Sequence, residues 1–167
     1  MVQLNNILGY ENLKIFQDDR FFSFSFEHLN EFDLVLCNPP YFKINANSSF
    51  NKSYNKMIAR HEILINLSQI CNCANRVLKD NGIFSMVHRS DRLIEVITTL
   101  RQHNLEPKSI KFIHNNCNSD STLVLIQSQK CGKVGLKILK PLFLRNIDGS
   151  FTVEYRKLQE EIVYDSK

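Results

Sequence analysis

The sequence predicts an α/β fold built on a mostly parallel sheet with an antiparallel edge. Apolar runs of strand length alternate with helical patterns between residues 33 and 100, as in sheets whose parallel strands are joined by helices. Two further strands, at 108–114 and 122–128, follow one another without a helix between them and predict the antiparallel edge. A chain of 167 residues suits one hydrophobic core, so residues 1–167 are predicted to form a single domain.

The elements before residue 40 are short. Residues 1–8 are typical of the end of a helix, and residues 13–17 alternate like a strand that ends at Asp18 and Asp19. A mainly apolar run predicts the next strand at 33–37.

The clearest pattern is a helix from His61 to Lys79, which follows a polar stretch at 42–60 that is typical of a loop. Asn81 and Gly82 are expected to end this helix. Its core-facing stripe consists of Ile63, Leu67, Ile70, Ala74 and Val77.

A strand at Ile83–His88 leads to Ser90, which is placed to cap a second helix. Farther along the chain, Ile147–Ser150 is expected to form a turn between apolar segments. The buried face of the second helix is predicted to contain Leu93, Val96, Ile97 and Leu100.

Composition narrows the class of protein. The hydrophobic fraction of 43% is ordinary for a globular chain, and the net charge of +4 permits contact with nucleic acid. Five cysteines without regular spacing predict reduced thiols and a cytoplasmic protein, and no metal site is expected because zinc-ligand spacing is missing. The first residues do not resemble a signal peptide, and no run approaches about 18 apolar residues, so no membrane association is expected.

The most informative segment is Asn38-Pro39-Pro40-Tyr41, directly after the strand predicted at 33–37. A nitrogen conjugated to a ring or a carbonyl is planar, and its lone pair is a poor nucleophile. The side-chain oxygen of Asn38 and the carbonyl of Pro39 are suited to accept its two N–H bonds and turn its lone pair toward a methyl donor. The two prolines stiffen the loop, and Tyr41 would stack on the flat target. A plain turn that ends the strand is the alternative interpretation.

Polar residues follow three predicted strands at their carboxyl ends: Asp19 after the first, Asn38 after the second, and His88 with Arg89 after the third. Ligands of open α/β sheets bind outside this edge of the sheet. These side chains are therefore predicted to face one crevice, which favours an enzyme.

With these motifs in place, the sequence resembles the bacterial adenine-N6 methyltransferases that act on tRNA1(Val). The resemblance implies a Rossmann-like class I methyltransferase sheet, S-adenosylmethionine as the cofactor and tRNA as the partner. The Asn-Pro-Pro-Tyr segment alone is shared with glutamine-modifying and DNA adenine methyltransferases. The matching segments are Phe32–Phe42, Ala59–Glu62, Val87–Arg89 with Arg92 and Leu93, and Gly135–Leu142.

The resemblance also implies roles for individual residues. The segment Asn38–Tyr41 corresponds to the clamp on the target base, and Asp19, with Asp18 beside it, corresponds to the acid that meets the adenine of the cofactor, near Asn38. For Glu62, Arg89 and Arg92, a solvated position at the start of a helix is the alternative. The residues expected near the substrate are Phe42, Arg60, His61, Glu62, His88, Arg89 and Arg92.

The sequence departs from that family in its first third. The family's first strand, its Gly-rich turn and the acid that holds the cofactor ribose have no counterpart, so an N-terminally truncated domain is expected. Without the first strand, the apolar strand at 33–37 has an unpaired edge, which invites pairing with another chain.

We therefore expect an enzyme, or a fragment of one, that transfers a methyl group from S-adenosylmethionine to adenine N6 of tRNA near the anticodon. The alternative is a non-catalytic remnant of the methyltransferase fold that binds RNA or protein. A weaker alternative is a methyltransferase that acts on glutamine N5 of a protein.

Overall fold

A computed structural model describes residues 28–39 and 66–163, with side chains up to residue 159. The predictions for 1–8, 13–17 and 42–60 lie outside these ranges. The strands are β1 (Phe32–Cys37), β2 (Leu78–Arg89), β3 (Leu105–His114), β4 (Ser121–Lys130), β5 (Lys137–Ile138) and β6 (Leu142–Phe143). The helices are α1 (Leu67–Val77), α2 (Leu93–Gln102) and α3 (Val153–Val163), and a 3-10 turn covers Ser90–Arg92.

The described strands form one mixed sheet in the order β1-β2-β4-β3-β5, with β6 also beside β3. β1 pairs in parallel with β2, while β4 is antiparallel to both β2 and β3. β5 and β6 pair in parallel with successive parts of β3. The mostly parallel sheet is confirmed, since β4 alone among the described strands runs the other way. β4 lies inside the sheet and not at its edge, because β5 and β6 extend the sheet beyond β3.

The hydrophobic core lies between one face of this sheet and the helices α1 and α2. Alternate residues of β2 point into it, and Phe84 and Met86 are almost completely buried there. The predicted apolar faces are confirmed within the described residues by the burial or core packing of Leu67, Ile70, Ala74 and Val77 in α1 and of Leu93, Val96, Ile97 and Leu100 in α2.

Local sequence signals explain the start of α1. Asn66 precedes the helix, and its Oδ1 atom accepts a bond of 2.9 Å from the backbone N–H of Gln69. In return, Oε1 of Gln69 accepts a bond of 2.8 Å from the backbone N–H of Asn66. This capping box satisfies backbone donors that have no partner inside the helix. Residues 61–65, predicted to belong to the same helix, lie outside the described residues.

The C-terminal end of α1 is joined directly to the segment that precedes β1. The backbone N–H groups of Asn30 and Glu31 donate to the carbonyls of Arg76 and Val77, each at 2.9 Å. Carbonyls in the last turn of a helix have no partner inside the helix, so this segment satisfies two of them. Asn30 adopts a φ of 56°, in the left-handed region that asparagine tolerates.

Lys130, the last residue of β4, closes the same junction. It is 8% exposed, and its Nζ atom donates to the carbonyl of Leu78 at 2.8 Å and to Oδ1 of Asn30 at 2.7 Å. The carboxylate of Asp80 lies 3.9 Å from the same Nζ atom. A buried ammonium group needs such partners, so Lys130 ties the end of α1, the approach to β1 and the end of β4 together.

The prediction that Asn81 and Gly82 end the helix is wrong, because α1 ends at Val77 and the chain enters β2 at once. Both residues lie where the pairing of β2 with β1 is irregular, as in a β-bulge. A Cβ atom at position 82 would lie 2.8 Å from the carbonyl oxygen of Lys79, so this backbone approach requires glycine.

The prediction that Ser90 caps the second helix is also wrong. Ser90 begins the 3-10 turn, and its hydroxyl donates to the main-chain carbonyl of Ser121. α2 starts afterwards at Leu93, and Arg92, in the N-cap position, makes no capping bond with its side chain. Ser90 therefore ties the end of β2 to the start of β4.

The remaining elements agree with the sequence. The predicted turn at Ile147–Ser150 is confirmed by a bond of 2.8 Å from the backbone N–H of Asn146 to the carbonyl of Ser150. The predicted strands at 33–37, 83–88, 108–114 and 122–128 are confirmed as parts of β1, β2, β3 and β4.

Substitution of Lys130 by methionine tests the junction. Lys130→Met keeps the volume of the side chain and removes the donor from the carbonyl of Leu78, so we expect the free energy of unfolding to fall by about 1–3 kcal/mol. Urea denaturation measures this change. In the matched control Lys133→Met, on an exposed residue nearby, we expect a change within about 0.5 kcal/mol. Equal stability of the two variants would contradict the role assigned to Lys130.

Candidate active site

The carboxyl ends of β1, β2 and β3 lie at one edge of the sheet, because these strands run in the same direction. The last paired residue of β1, Cys37, lies beside Met86 of β2. Asn38 and Pro39 follow immediately, so they leave the sheet near the end of β2. This position is the one at which open α/β sheets bind ligands.

Because β1 is pleated, Asn38 points to the opposite face of the sheet from Cys37, the residue before it. Val35 and Cys37 pack against the core, and the alternation of a strand places Leu36 and Asn38 on the opposite face. Leu36 is 57% exposed and Asn38 is also exposed, whereas Pro39 is buried. A buried proline fixes the backbone next to an accessible amide, which is what a rigid hydrogen-bonding clamp requires.

His88 is brought to the same strand end but faces the interior. Its side chain is 2% exposed, on the face of β2 that also carries Met86. Nδ1 accepts a bond of 2.9 Å from the backbone N–H of Arg89, so the neutral ring carries its proton on Nε2. The predicted contact of His88 with a substrate is not seen in this geometry, since the imidazole is covered.

Arg89 and Arg92 are both paired with carboxylates from their own turn. Arg89 donates to Asp91 from Nε at 3.0 Å and from Nη2 at 2.6 Å. Arg92 donates to Glu95 in the same bidentate manner, at 2.9 Å and 2.6 Å. The hydrogen bonds from Arg89 hold the pKa of the Asp91 carboxyl below its usual range. A nucleic-acid phosphate would therefore compete with carboxylates for either guanidinium group.

Thiol chemistry does not fit this part of the site. Burial raises the pKa of Cys37 to about 11 and that of Cys71, which is completely buried, to about 12. Both thiols stay protonated at neutral pH, and a thiol must ionise to attack or to bind a metal. Both cysteines therefore act as small apolar residues at the core.

Within the described ranges, no group of three or more acidic, histidine or cysteine side chains could hold a metal ion. No helix in these ranges is long and apolar enough to cross a membrane. The predicted residues that lie outside those ranges are Asp18, Asp19, Pro40, Tyr41, Phe42, Arg60, His61 and Glu62.

The sequence analysis missed residues at the end of β3. β6 pairs in parallel with β3, and the backbone N–H of Arg145 donates to the carbonyl of Asn115 at 2.8 Å. Phe143 and Arg145 therefore lie at the same edge of the sheet as Asn38. The alternation of aromatic and basic residues around the turn at 147–150 was the available signal, but two-residue strands such as β6 have no detectable period.

The buried imidazole of His88 predicts a pH dependence of stability. Burial and, to a smaller extent, the guanidinium of Arg92 lower the pKa of His88 from its ordinary value of 6.5. Below pH 6.5 the unfolded chain binds a proton that the folded chain does not, so the free energy of unfolding should fall as the pH decreases. Urea unfolding between pH 7.5 and about pH 5 measures the slope.

In this experiment His88→Gln should give a flatter pH profile than the wild-type chain, whatever its stability at neutral pH. Gln102→Ala, at an exposed residue without a titratable group at the end of α2, serves as the control and should keep the wild-type slope. An unchanged slope in His88→Gln would show that other groups cause the dependence.

Solved structures with similar folds are methyltransferases. A protein described as a predicted O-methyltransferase, Atu636 from Agrobacterium tumefaciens, superposes with a TM-score of 0.62 at 16% identity, over 90% of this chain and 61% of that chain. The protein M1.HpyAVI superposes with a TM-score of 0.50 at 15% identity, over 80% of this chain and 68% of that chain. These likenesses show a class I methyltransferase fold.

Sequence comparison gives the family. A tRNA1(Val) (adenine(37)-N6)-methyltransferase from Phocaeicola vulgatus is 27% identical over 95 residues, which are 57% of this chain and 39% of that relative. The chain thus spans about two fifths of the curated relative. The model of the Eco57I restriction-modification methylase family matches residues 3–122, well over half of the sequence. The chain therefore belongs to the Eco57I restriction-modification methylase family.

Proposed function

We propose that this chain carries the target-base side of an S-adenosylmethionine-dependent methyltransferase that acts on adenine N6 of tRNA, near the anticodon. The observation that carries the proposal is the accessible amide of Asn38, at the end of a parallel strand and next to the buried Pro39. Membership of a methylase family supports the same reaction type.

The chemistry of adenine explains why such an amide is useful. The N6 lone pair is delocalised into the purine ring, so the amine is planar and weakly nucleophilic. Two acceptors, Oδ1 of Asn38 and the carbonyl of Pro39, would take the two N–H bonds and favour a tetrahedral nitrogen whose lone pair points away from the ring. The stiff backbone at Pro39 means that little reorganisation is needed when the base binds.

The described residues fit a methyl-transfer site. Oxygen acceptors suffice to orient the amine, and the protonated thiols of Cys37 and Cys71 offer no competing nucleophile. A bound S-adenosylmethionine would supply a methyl group on a sulfonium centre, which is reactive enough that the N6 proton can leave after transfer. We propose that Asp18 and Asp19, together with Asn38, hold this cofactor.

The substrate side is proposed from the sequence motifs and from the accessible arginine at the end of β2. Tyr41 would stack on the extruded adenine, as aromatic side chains do in base-modifying enzymes. Arg89 would contact the RNA only by exchanging its partner Asp91 for a phosphate. Further residues proposed to lie near the substrate are Phe42, Arg60, His61, Glu62 and Arg92.

tRNA is proposed as the acceptor because the curated relative acts on tRNA1(Val) by name. The family name points to restriction-modification methylases, so DNA adenine is the competing acceptor of the same chemistry. The alternative is a non-catalytic remnant of the methyltransferase fold that binds RNA or protein. The position of β1 at the end of the described sheet supports a further strand, from this or another chain, beside it.

Substitution of the amide tests the clamp. In Asn38→Ala the N6 amine loses one oriented acceptor, and we expect the rate of methyl transfer to fall by about 10²–10³, by analogy with the loss of one donor from an oxyanion hole. RNA affinity should stay within about twofold, because this bond forms with one base only. Transfer of a labelled methyl group measures the rate, and fluorescence anisotropy measures affinity.

Asn72→Ala is the matched control for that experiment, since Asn72 is an exposed amide on α1, away from the strand ends. It should keep both the rate and the affinity of the wild-type chain. Full activity in Asn38→Ala would refute the proposed mechanism.

The choice of acceptor is tested by offering equal amounts of unmodified tRNA, a DNA duplex and a protein extract with labelled S-adenosylmethionine. We expect label on tRNA alone, at N6 of an adenine near the anticodon. Label on DNA would support methyl transfer to adenine but refute tRNA as the acceptor. Label on protein would indicate transfer to glutamine N5. No transfer to any acceptor by a folded sample would favour the remnant.

A further inference from the structure

The ligand-binding edge of the sheet continues well beyond Asn38. The backbone N–H of Leu144 donates to the carbonyl of His114 at 3.0 Å, and that of Arg145 donates to Asn115 at 2.8 Å, so the chain after β6 follows the end of β3. The path from β1 to β6 crosses β2, β4 and β3. Four spacings of about 4.8 Å separate the two positions across the sheet, and Arg145 also lies about four residues farther along it, since Asn38 is level with Lys111 and Arg145 with Asn115. Together these offsets place Arg145 roughly 23 Å from Asn38.

A cavity of about 480 Å³ opens at this second position. Its lining residues are of mixed chemistry and include the aromatic Phe143, the aliphatic Ile147 and the basic Arg145. Ile147 is 74% exposed, so this apolar side chain lies at the rim of the cavity and not in the core. The other lining residues are Cys117, Asn146, Asp148 and Thr152.

Arg145 is held in place by neutral groups. Its guanidinium lies 4.4 Å from the centre of the Phe151 ring, and Nη1 donates to the carbonyl of Gly149 at 2.7 Å. In the described part of the chain it forms no ion pair, unlike Arg89 and Arg92. The planar cation is therefore fixed in orientation and keeps its charge for a ligand.

The carboxylate of Asp148, the acidic residue of the cavity, is hydrogen-bonded within its own turn. The Oδ1 atom of Asp148 accepts bonds from the backbone N–H of Ser150 at 2.9 Å and from its hydroxyl at 2.6 Å. These bonds hold the carboxylate toward the inside of the turn, so it acts as a brace for the segment that carries Arg145 and Phe151.

We propose that this cavity binds an unpaired nucleotide of the same strand that presents its adenine to Asn38, with the base stacked on the Arg145 guanidinium. The inference rests on the proposed function and adds a second contact point to it. Proteins that hold single strands combine positive charge with planar stacking surfaces, and the Arg145–Phe151 pair is such a surface. A separation of roughly 23 Å corresponds to about seven stacked nucleotides at ~3.4 Å each.

The test is the affinity of the full chain for a labelled single-stranded RNA of about twelve nucleotides, long enough to reach both positions. Arg145→Ala should weaken binding by about 5- to 150-fold, the range for loss of one stacked base. Arg145→Lys should also weaken it, because lysine keeps the charge and loses the plane. The control Lys140→Ala removes another exposed positive charge, one outside the cavity, and should change affinity by less than about twofold.

The outcomes separate this proposal from the proposed function. Affinities of Arg145→Ala and Arg145→Lys that match Lys140→Ala, in folded samples, would overturn the subsite, whether or not methyl transfer depends on Asn38. If the Arg145 variants lose affinity as expected but the wild-type chain transfers no methyl group, the subsite is supported and the proposed methyltransferase activity is refuted. Failure of the wild-type chain to bind any RNA would overturn both.

Discussion

The structure depends on the junction at the end of α1. The last carbonyls of that helix accept bonds from the backbone of Asn30 and Glu31, and the buried ammonium of Lys130 joins Leu78 to Asn30. This junction sets the point at which the chain enters β1 and therefore its register on β2. A surface ion pair of 2.9 Å between Asp33 and Lys79 adds little by comparison, because both side chains are solvated.

The register of β1 on β2 determines which side chains at the end of β1 are accessible to a ligand. With Cys37 beside Met86, the strand points Val35 and Cys37 into the core and leaves Asn38 accessible. A shift by one residue would exchange the two faces and bury the amide, since side chains alternate along a strand. The proposed chemistry therefore depends on an interaction more than 90 residues away in the sequence from Asn38, through Lys130. Folding and function are linked here by one buried hydrogen-bonded group.

The sequence predicted the elements that local patterns control. The strand before Asn38, the apolar stripes of both helices and the turn at 147–150 follow from periodicity and turn chemistry. The sequence-based prediction was wrong where residues distant in the sequence determine the local structure. α1 stops before Asn81 because the backbone N–H groups of Asn30 and Glu31 bond to its last carbonyls. Ser90 does not cap a helix because its hydroxyl bonds to the start of a strand 31 residues later. The inward orientation of His88 was missed for the same reason, since strand ends alone do not reveal which face a helix will cover.

The central claim is that the clamp at Asn38 works with its own methyl donor. Calorimetric titration of S-adenosylmethionine into the purified 167-residue chain tests this most directly. We expect saturable binding with one site per chain and a Kd in the micromolar range, on the order of −8 kcal/mol. A folded, cooperatively melting sample that releases no heat of binding would contradict it and would identify the chain as a strand-end clamp without a methyl source.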